Sequence, residues 1–419
     1  MLPRGAVKRR VMALCVAATL GCGARTALES RLLGRDAGPA ADASRGCGDD
    51  SACAPTGDPC LRAVCVAGRC TTAPVPFAQP QVYAAPGVLG HLAADGEGAV
   101  ALSLERVSAR ENRLGLQRIS LAGPQGRPLA QFTVRGDRAW DADLAESDAG
   151  FVIAGHDDGA LVVRSVDRAG AVREVDRVNP TGLFVHVDRV GAGFAVTSEL
   201  GQACSFLWLD GRGQVVQNRW DEAAGACAVP SLMGTTLPPF RRPVARAGNG
   251  ASWWSLGGDG RITRTEARAG RVEVSLAGRL PFAMSPGPLL HRSVVAVTEG
   301  ERTYAMWVRT DGPTQGAQSV RSAVMNAALE PVGAEQSNIA EGNPYPPTMD
   351  VRACHGRFVG MWYETRGGSL ESLDREGRPV QGVLKFGMGV PSIPMRVVCV
   401  PGGVMVAAQN NVAVFRCGG

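Results

Sequence analysis

Lysine is almost missing from this chain of 419 residues: Lys8 and Lys385 are the only two, and every other cation is arginine. Histidine is scarce as well. Its five copies, His91, His156, His186, His291 and His355, form no HExxH pattern and no close pair, which leaves a zincin-type centre without ligands. GxSxG, Walker A and GxGxxG do not occur in strand-to-helix context, so neither a nucleophile elbow nor a phosphate cradle has a carrier. No sustained i, i+3, i+4, i+7 apolar pattern is present, which argues against helical repeats. The apolar run at residues 11–20 is ten residues long, well short of the roughly 20 that cross a bilayer as a helix. The net charge of +5 falls to +1 once Arg4, Lys8, Arg9 and Arg10 are set aside. That balance gives no electrostatic footprint for a nucleic acid partner. The whole chain is 45% hydrophobic and 20% charged, with 54 glycines and 27 prolines. Such a composition reads as globular, built from many short strands joined by turns.

Residues 1–10 are short and basic, residues 11–20 are apolar, and Gly21-Cys22 precedes polar chain. This is the layout of a secretory signal peptide, expected to span residues 1–21. Thr19-Leu20-Gly21-Cys22 resembles the lipobox of bacterial lipoproteins, in which the cysteine becomes a diacylated N-terminus. The family usually carries Leu three residues before the cysteine, where Thr19 stands here; the small residue and cysteine fit. The resemblance implies lipidation at Cys22 and, with Gly23 in place of an aspartate after it, a place at the outer membrane of a Gram-negative bacterium. Release into the periplasm or secretion is the alternative. Residues 22–46, rich in Ala, Gly, Arg and Asp, read as a flexible tether.

Five cysteines follow within residues 47–72: Cys47, Cys53, Cys60, Cys65 and Cys70. So short a piece cannot bury a sufficient core, and an exported chain is oxidised, so a disulfide-stapled module is expected. The module has no CxxC pair and no histidine, which disfavours zinc. Gly57-Asp58-Pro59-Cys60, Cys65 and Gly68-Arg69-Cys70 resemble a small Cys-rich repeat of exported Gram-negative proteins, which brings no catalytic residues with it. Five further cysteines, Cys204, Cys227, Cys354, Cys399 and Cys417, lie downstream. Two odd sets imply at least one bridge between module and main domain, unless thiols stay free. The expected pairs are Cys204 with Cys227, Cys354 with Cys399, and Cys417 with Cys70 or Cys65.

Residues 73–419 carry an internal repeat. A short apolar strand after a Gly-containing turn begins at Ala99, Phe151, Phe194, Ala251, Thr303, Phe358 and Val404, at intervals of 52, 43, 57, 52, 55 and 46 residues. Asp-x-x-Gly turns at Asp167, Asp210 and Asp374 each lie 16 residues after a repeat start. Aspartate accepts bonds from its own turn and glycine supplies positive φ, so these are hairpin signals. Repeats of this length with several strands resemble the blades of a β-propeller. The expectation is an all-β fold of seven four-stranded blades, with six or eight blades, or a pair of β-sandwiches, as alternatives. The last repeat ends before its hairpin is complete. Val82-Tyr83 is the stretch expected to supply the missing outer strand, because a ring closes without open edges.

No catalytic residue, metal ligand or cofactor emerges. His156-Asp157-Asp158 and the Asp-Gly pairs read as turns, and Trp253, Trp254, Trp307 and Trp362 as packing between blades. Two functional readings stand. One is a cell-envelope lipoprotein, held to the membrane by its lipid, whose propeller is a non-catalytic binding or scaffold platform for a protein or glycan. The other is an envelope glycan hydrolase or lyase, which needs two carboxylates about 5–10 Å apart; Glu97, Asp141 and Asp350 are the acids to watch at the channel. A purely structural spacer is a third.

Overall fold

The computed structural model describes residues 46–418 except 97, 140, 179–182, 191–192, 201–202, 223–243, 248–249, 257–260, 269–270, 280–293, 312–316, 341–347, 365–366, 389–395 and 409. A single 3-10 turn (Asp50–Ala52) comes first, followed by a hairpin, β1 (Leu61–Val66) and β2 (Arg69–Pro74). Ala67 and Gly68 join the two strands with φ of 51° and 75°, the tight turn whose twist matches that of the strands. β3 (Gln81–Ala84) follows, and then the blades. Blade 1 is β4 (Val88–Asp95), β5 (Gly98–Arg106), β6 (Glu111–Ser120) and β7 (Gly123–Arg135). Blade 2 is β8 (Ala142–Ser147), β9 (Gly150–Asp157), β10 (Ala160–Asp167) and β11 (Val172–Val178). Blade 3 is β12 (Leu183–Val190), β13 (Gly193–Leu200), β14 (Ala203–Leu209) and β15 (Val215–Glu222). Blade 4 is β16 (Val244–Ala247), β17 (Gly250–Leu256), β18 (Arg261–Arg268) and β19 (Arg271–Arg279). Blade 5 is β20 (Val294–Glu299), β21 (Arg302–Asp311), β22 (Ala317–Met325) and β23 (Gln336–Ala340). Blade 6 is β24 (Thr348–Cys354), β25 (Arg357–Glu364), β26 (Gly367–Leu373) and β27 (Leu384–Phe386). Blade 7 is β28 (Arg396–Val400), β29 (Gly403–Ala408) and β30 (Asn411–Arg416), completed by β3.

The fold is therefore a seven-bladed β-propeller of four-stranded antiparallel sheets. Blades 4 and 5 are also joined by one parallel pair, Arg246↔Val297, between their innermost strands. The ring closes through β3. Gln81, Val82, Tyr83 and Ala84 pair with Val414, Ala413, Val412 and Asn411 of β30.

The repeated apolar strand of the sequence is the second strand of each blade. Residues there face a neighbouring blade on either side, so both faces are apolar: every residue of β9 and of β29 is buried. This is why the strands read as short continuous runs and not as an alternation. The core lies between blades. Phe151 and Ile153 pack with Leu102, Leu114 and Leu116 of blade 1, and Val359 and Met361 pack with Val404, Val406 and Phe415 of blade 7. Each such buried Val, Leu or Phe contributes about 1.5–3 kcal/mol. Trp362 of blade 6 is buried in one cluster with Val297, Tyr304 and Met306 of blade 5, so it packs between blades as expected. Trp307 is buried too, whereas the side chains of Trp253 and Trp254 lie outside the described residues.

Antiparallel order puts two kinds of connection on opposite faces of the disc. The turns from first to second and from third to fourth strand share one face. The turns from second to third strand and the blade-to-blade connections share the other. Asp167, Asp210 and Asp374 stand at the third-to-fourth turns, and each accepts two backbone N–H bonds through Oδ1 at 2.8–3.0 Å. These turns also dock on the preceding blade. A Cβ at Gly170, whose φ is 93°, would stand 2.0 Å from the Leu129 carbonyl oxygen of blade 1, so only glycine fits.

Candidate functional site: the polar centre and the module-bearing face

The innermost strands carry charged residues near the end of the channel where those strands begin. Asp143 of β8 is fully buried. Its Oδ1 lies 3.1 Å from His91 Nδ1 of β4 and accepts the Leu144 N–H at 2.6 Å. Its Oδ2 accepts the Val187 N–H of β12 at 3.0 Å and pairs with Arg396 of β28. Arg396 also donates to the Leu144 carbonyl at 3.3 Å. One carboxylate thus ties together blades 7, 1, 2 and 3.

Two more acids do similar work. Asp141 accepts the Val185 N–H of blade 3 at 3.2 Å and lies 3.3 Å from His156 Nε2. Asp350 of β24 accepts the Val397 N–H of blade 7 at 2.8 Å and pairs with Arg352 at 3.2 Å. In each case an acid of one inner strand satisfies an N–H of the next blade, a group that the radial sheets leave without a ladder partner. The two His–Asp pairs do not gather their ligand atoms into one cluster. The two clusters with metal-like donors among the described residues, Cys47-Cys53-Cys70 and Asp58-Cys60-His355, have their cysteines in disulfides. Glu97 lies outside the described residues.

Another buried carboxylate sits between blades 5 and 6. Glu371 of β26 accepts Tyr304 Oη at 2.5 Å and Asn338 Nδ2 at 3.1 Å, both from blade 5. Burial pushes its pKa up, against the hydrogen bonds from Ser322, Tyr304 and Asn338. Tyr304 is raised well above its ordinary range by burial and by Glu371, so it stays a donor.

The cysteine module is fastened to the face that carries the first-to-second turns, at blades 6 and 7. Cys47 bonds Cys65, Cys53 bonds Cys70, and Cys60 bonds Cys417. The expected partner of Cys417, Cys70 or Cys65, is therefore corrected to Cys60. Cys65 and Cys70 face each other across the β1–β2 hairpin and are taken by the segment before it. Cys60 stands just ahead of β1, where Arg357 Nη2 donates to its carbonyl at 2.8 Å. Arg357 is completely buried, its guanidinium 4.4 Å from the Phe77 ring centroid. Burial lowers its pKa to about 10, opposed by Asp58. Asp58 in turn lies 2.7 Å from His355 Nδ1 in the β24–β25 turn. Phe77 inserts between blades 6 and 7 against Phe415, with ring centroids 6.5 Å apart. Next to this joint Cys354 bonds Cys399, linking those two blades. Cys22 and Cys227, and the side chain of Cys204, lie outside the described residues.

Sequence reasoning missed Asp143, His91 and Arg396. A usable signal was present: a charged residue early in an inner strand, just ahead of the apolar second strand. It also missed Asn326, which makes the same turn as the aspartates by accepting the Ala328 and Glu330 N–H bonds at 2.9 Å each. There Leu329 carries the positive φ, 64°, in place of glycine.

No protein-family model matches the chain, and no curated protein sequence matches it. Among solved structures it is similar to the N-terminal domain of Nup159, at 11% identity over 82% of this chain and 97% of that one, with a TM-score of 0.44. It is similar too to the β-propeller domain of Cps50 (Swd1) from Myceliophteria thermophila, at 10% identity over 82% of this chain and 100% of that one, TM-score 0.44. The Dos1 propeller matches at 11% identity over 81% of this chain and 95% of that one, TM-score 0.43.

Proposed function

We propose that this chain is a lipid-anchored protein of the bacterial cell envelope, acylated at Cys22 and held at the outer membrane, whose propeller is a non-catalytic binding and scaffold platform for a protein or glycan. The observation that carries the non-catalytic reading is the use made of the central acids. Asp143, Asp141 and Asp350 hold N–H groups and cations of neighbouring strands. Carboxylates employed in this way are structural acceptors and not a free acid–base pair. The anchored reading is supported by the lipobox-like Gly21-Cys22 and by the position of the module. The chain enters through Gly46 beside the module, whose attachments lie at the turns of blades 6 and 7. A platform tethered there turns its other face, with the blade-to-blade connections, toward a partner.

The test uses labelled fatty acid and envelope fractionation. Cys22→Ser is expected to lose the label and to leave the membrane fraction, because the thiol is the acyl acceptor. Equal labelling of the variant overturns the anchor. Hydrolysis or lysis of an envelope glycan by the purified protein overturns the platform reading.

A further inference from the structure

Ring closure depends on little hydrogen bonding: β3 has four register pairs with β30. It is also the first propeller strand met by any pull on the N-terminal chain. Upstream of it, the segment after the hairpin is held to the blades around Phe77: by its bridge to Cys417, its N–H to Gln381 Oε1, the Ala78 N–H to the Arg416 carbonyl, and its ring against Phe415 and Arg357. A tether under tension would therefore extract Phe77, strip β3 and open the ring at its seam.

The disulfides lie where they divert that path. Tension entering at Cys47 crosses to Cys65, and the hairpin is closed a second time by Cys53–Cys70. Cys60 then passes it directly to Cys417, just beyond the end of β30. We infer that the module is a mechanical shunt: Cys60–Cys417 carries tension from the N-terminal chain into the middle of blade 7 and keeps it off β3. The receiving strand suits this role. β30 has six register pairs with β29 in addition to its four with β3. Blade 7 is then covalently braced to blade 6 by Cys354–Cys399. The route through Cys60 is a single cross-link, whereas the route through β3 runs through residues 61–80. The source of tension rests on the anchored reading above, but the shunt is a property of the folded chain and is measured without a membrane.

The experiment is single-molecule pulling on the mature chain, coupled through Cys22, with the second handle an azide-bearing residue at Val107 in the exposed β5–β6 turn. The intact protein is compared with the Cys60→Ser/Cys417→Ser double variant. The variant is expected to show an early rupture at about half the force, following the number of ladder pairs under tension. Its first step should lengthen the chain by roughly 30 Å, the segment from Phe77 to Ala84 at about 3.5 Å per residue. A second geometry, with handles at Val107 and Val216, pulls across the blades without the module. There the two forms should rupture at the same force. Identical first ruptures from the N-terminus would overturn the shunt. An equal loss in both geometries would overturn it too, because the bridge would then be an ordinary stabiliser. Lack of lipid at Cys22 would remove the anchor and leave these outcomes unchanged.

Discussion

Asp143 is the residue on which four blades converge, and its surroundings set what a change there costs. With Arg396 in contact and His91 at 3.1 Å, the carboxylate is a buried charge inside a hydrogen-bonded network. Removing one member leaves another uncompensated in low dielectric, which costs about 3–5 kcal/mol. Asp143→Asn, which preserves shape, is therefore expected to lose that much stability in denaturant titration. A loss below about 1 kcal/mol, the value of an exposed pair, would mean that the centre is wet. Gly360 is a second sensitive position, for a steric reason. A Cβ there would stand 2.0 Å from Tyr304 Oη and 2.3 Å from Met306 Cε. Gly360→Ala is expected to lower stability by about 1–3 kcal/mol through overpacking, read as a drop in melting temperature. Gly360 was not legible beforehand, and Asp143 only as a charge early in an inner strand, with nothing to name its partners. Asp143 sits in an ordinary-looking Ala-Asp-Leu-Ala strand, and its partners are 52 and 253 residues away. Gly360 looked like one more small residue in an apolar run.

At the scale of elements, the signals that could be read were those with a local cause. The second strands are apolar because two blades enclose them, and the Asp-x-x-Gly turns bond to themselves, so both show in a single stretch of sequence. The Asn326 turn escaped because Asn326 and Leu329 stand where the pattern has Asp and Gly, and because longer β21 and β22, with five residues between them, break the constant offset. Asp374→Ala should cost about 0.5–1.5 kcal/mol, the net worth of a hydrogen-bonded turn, in the same titration. Glu371 couples two blades through a group that titrates. Its pKa is raised from 4.5 by burial in the folded state. The fold therefore binds the proton more tightly than the unfolded chain does. The associated stability is fully present below the unfolded value and fades as pH rises through the folded one. Glu371→Gln, which cannot ionise, should flatten the decline in stability that sets in as pH rises above about 4.5, the unfolded value. A variant whose stability follows pH as steeply as the parent would place the dependence elsewhere.

For the whole molecule, repeat spacing was enough to count the blades and to find the closing stretch at Val82-Tyr83, because a ring forces its two ends together. Cys354 pairs with Cys399 as expected, but the partner of Cys417 was not deducible in the same way. Counting cysteines shows that a bridge must cross from module to propeller, but which sulfur crosses depends on how the hairpin lies on blades 6 and 7. Cys65 and Cys70 are occupied within the module, and Cys60 is the one left beside Cys417. The two bridges that reach the propeller among the described residues can be ranked by the chain they close. Cys60–Cys417 spans 357 residues and Cys354–Cys399 spans 45. In the chain-entropy picture these restrict the unfolded state by roughly 6 and 4 kcal/mol respectively. The shorter loop lies inside the longer one, so the two effects overlap, but the difference in length is large enough to preserve the order. Replacing both cysteines of the long bridge by serine is thus expected to lower the melting temperature more than the same change in the short bridge. The long bridge also holds the seam at β3, whose loss exposes the edges of β30 and β3 to pairing with other chains. Its variant should therefore aggregate on heating, which light scattering detects, while the short-bridge variant melts with its ring still closed. If the short-bridge variant proves the less stable of the two, the joint between blades 6 and 7, and not the seam, is the weak point of the ring.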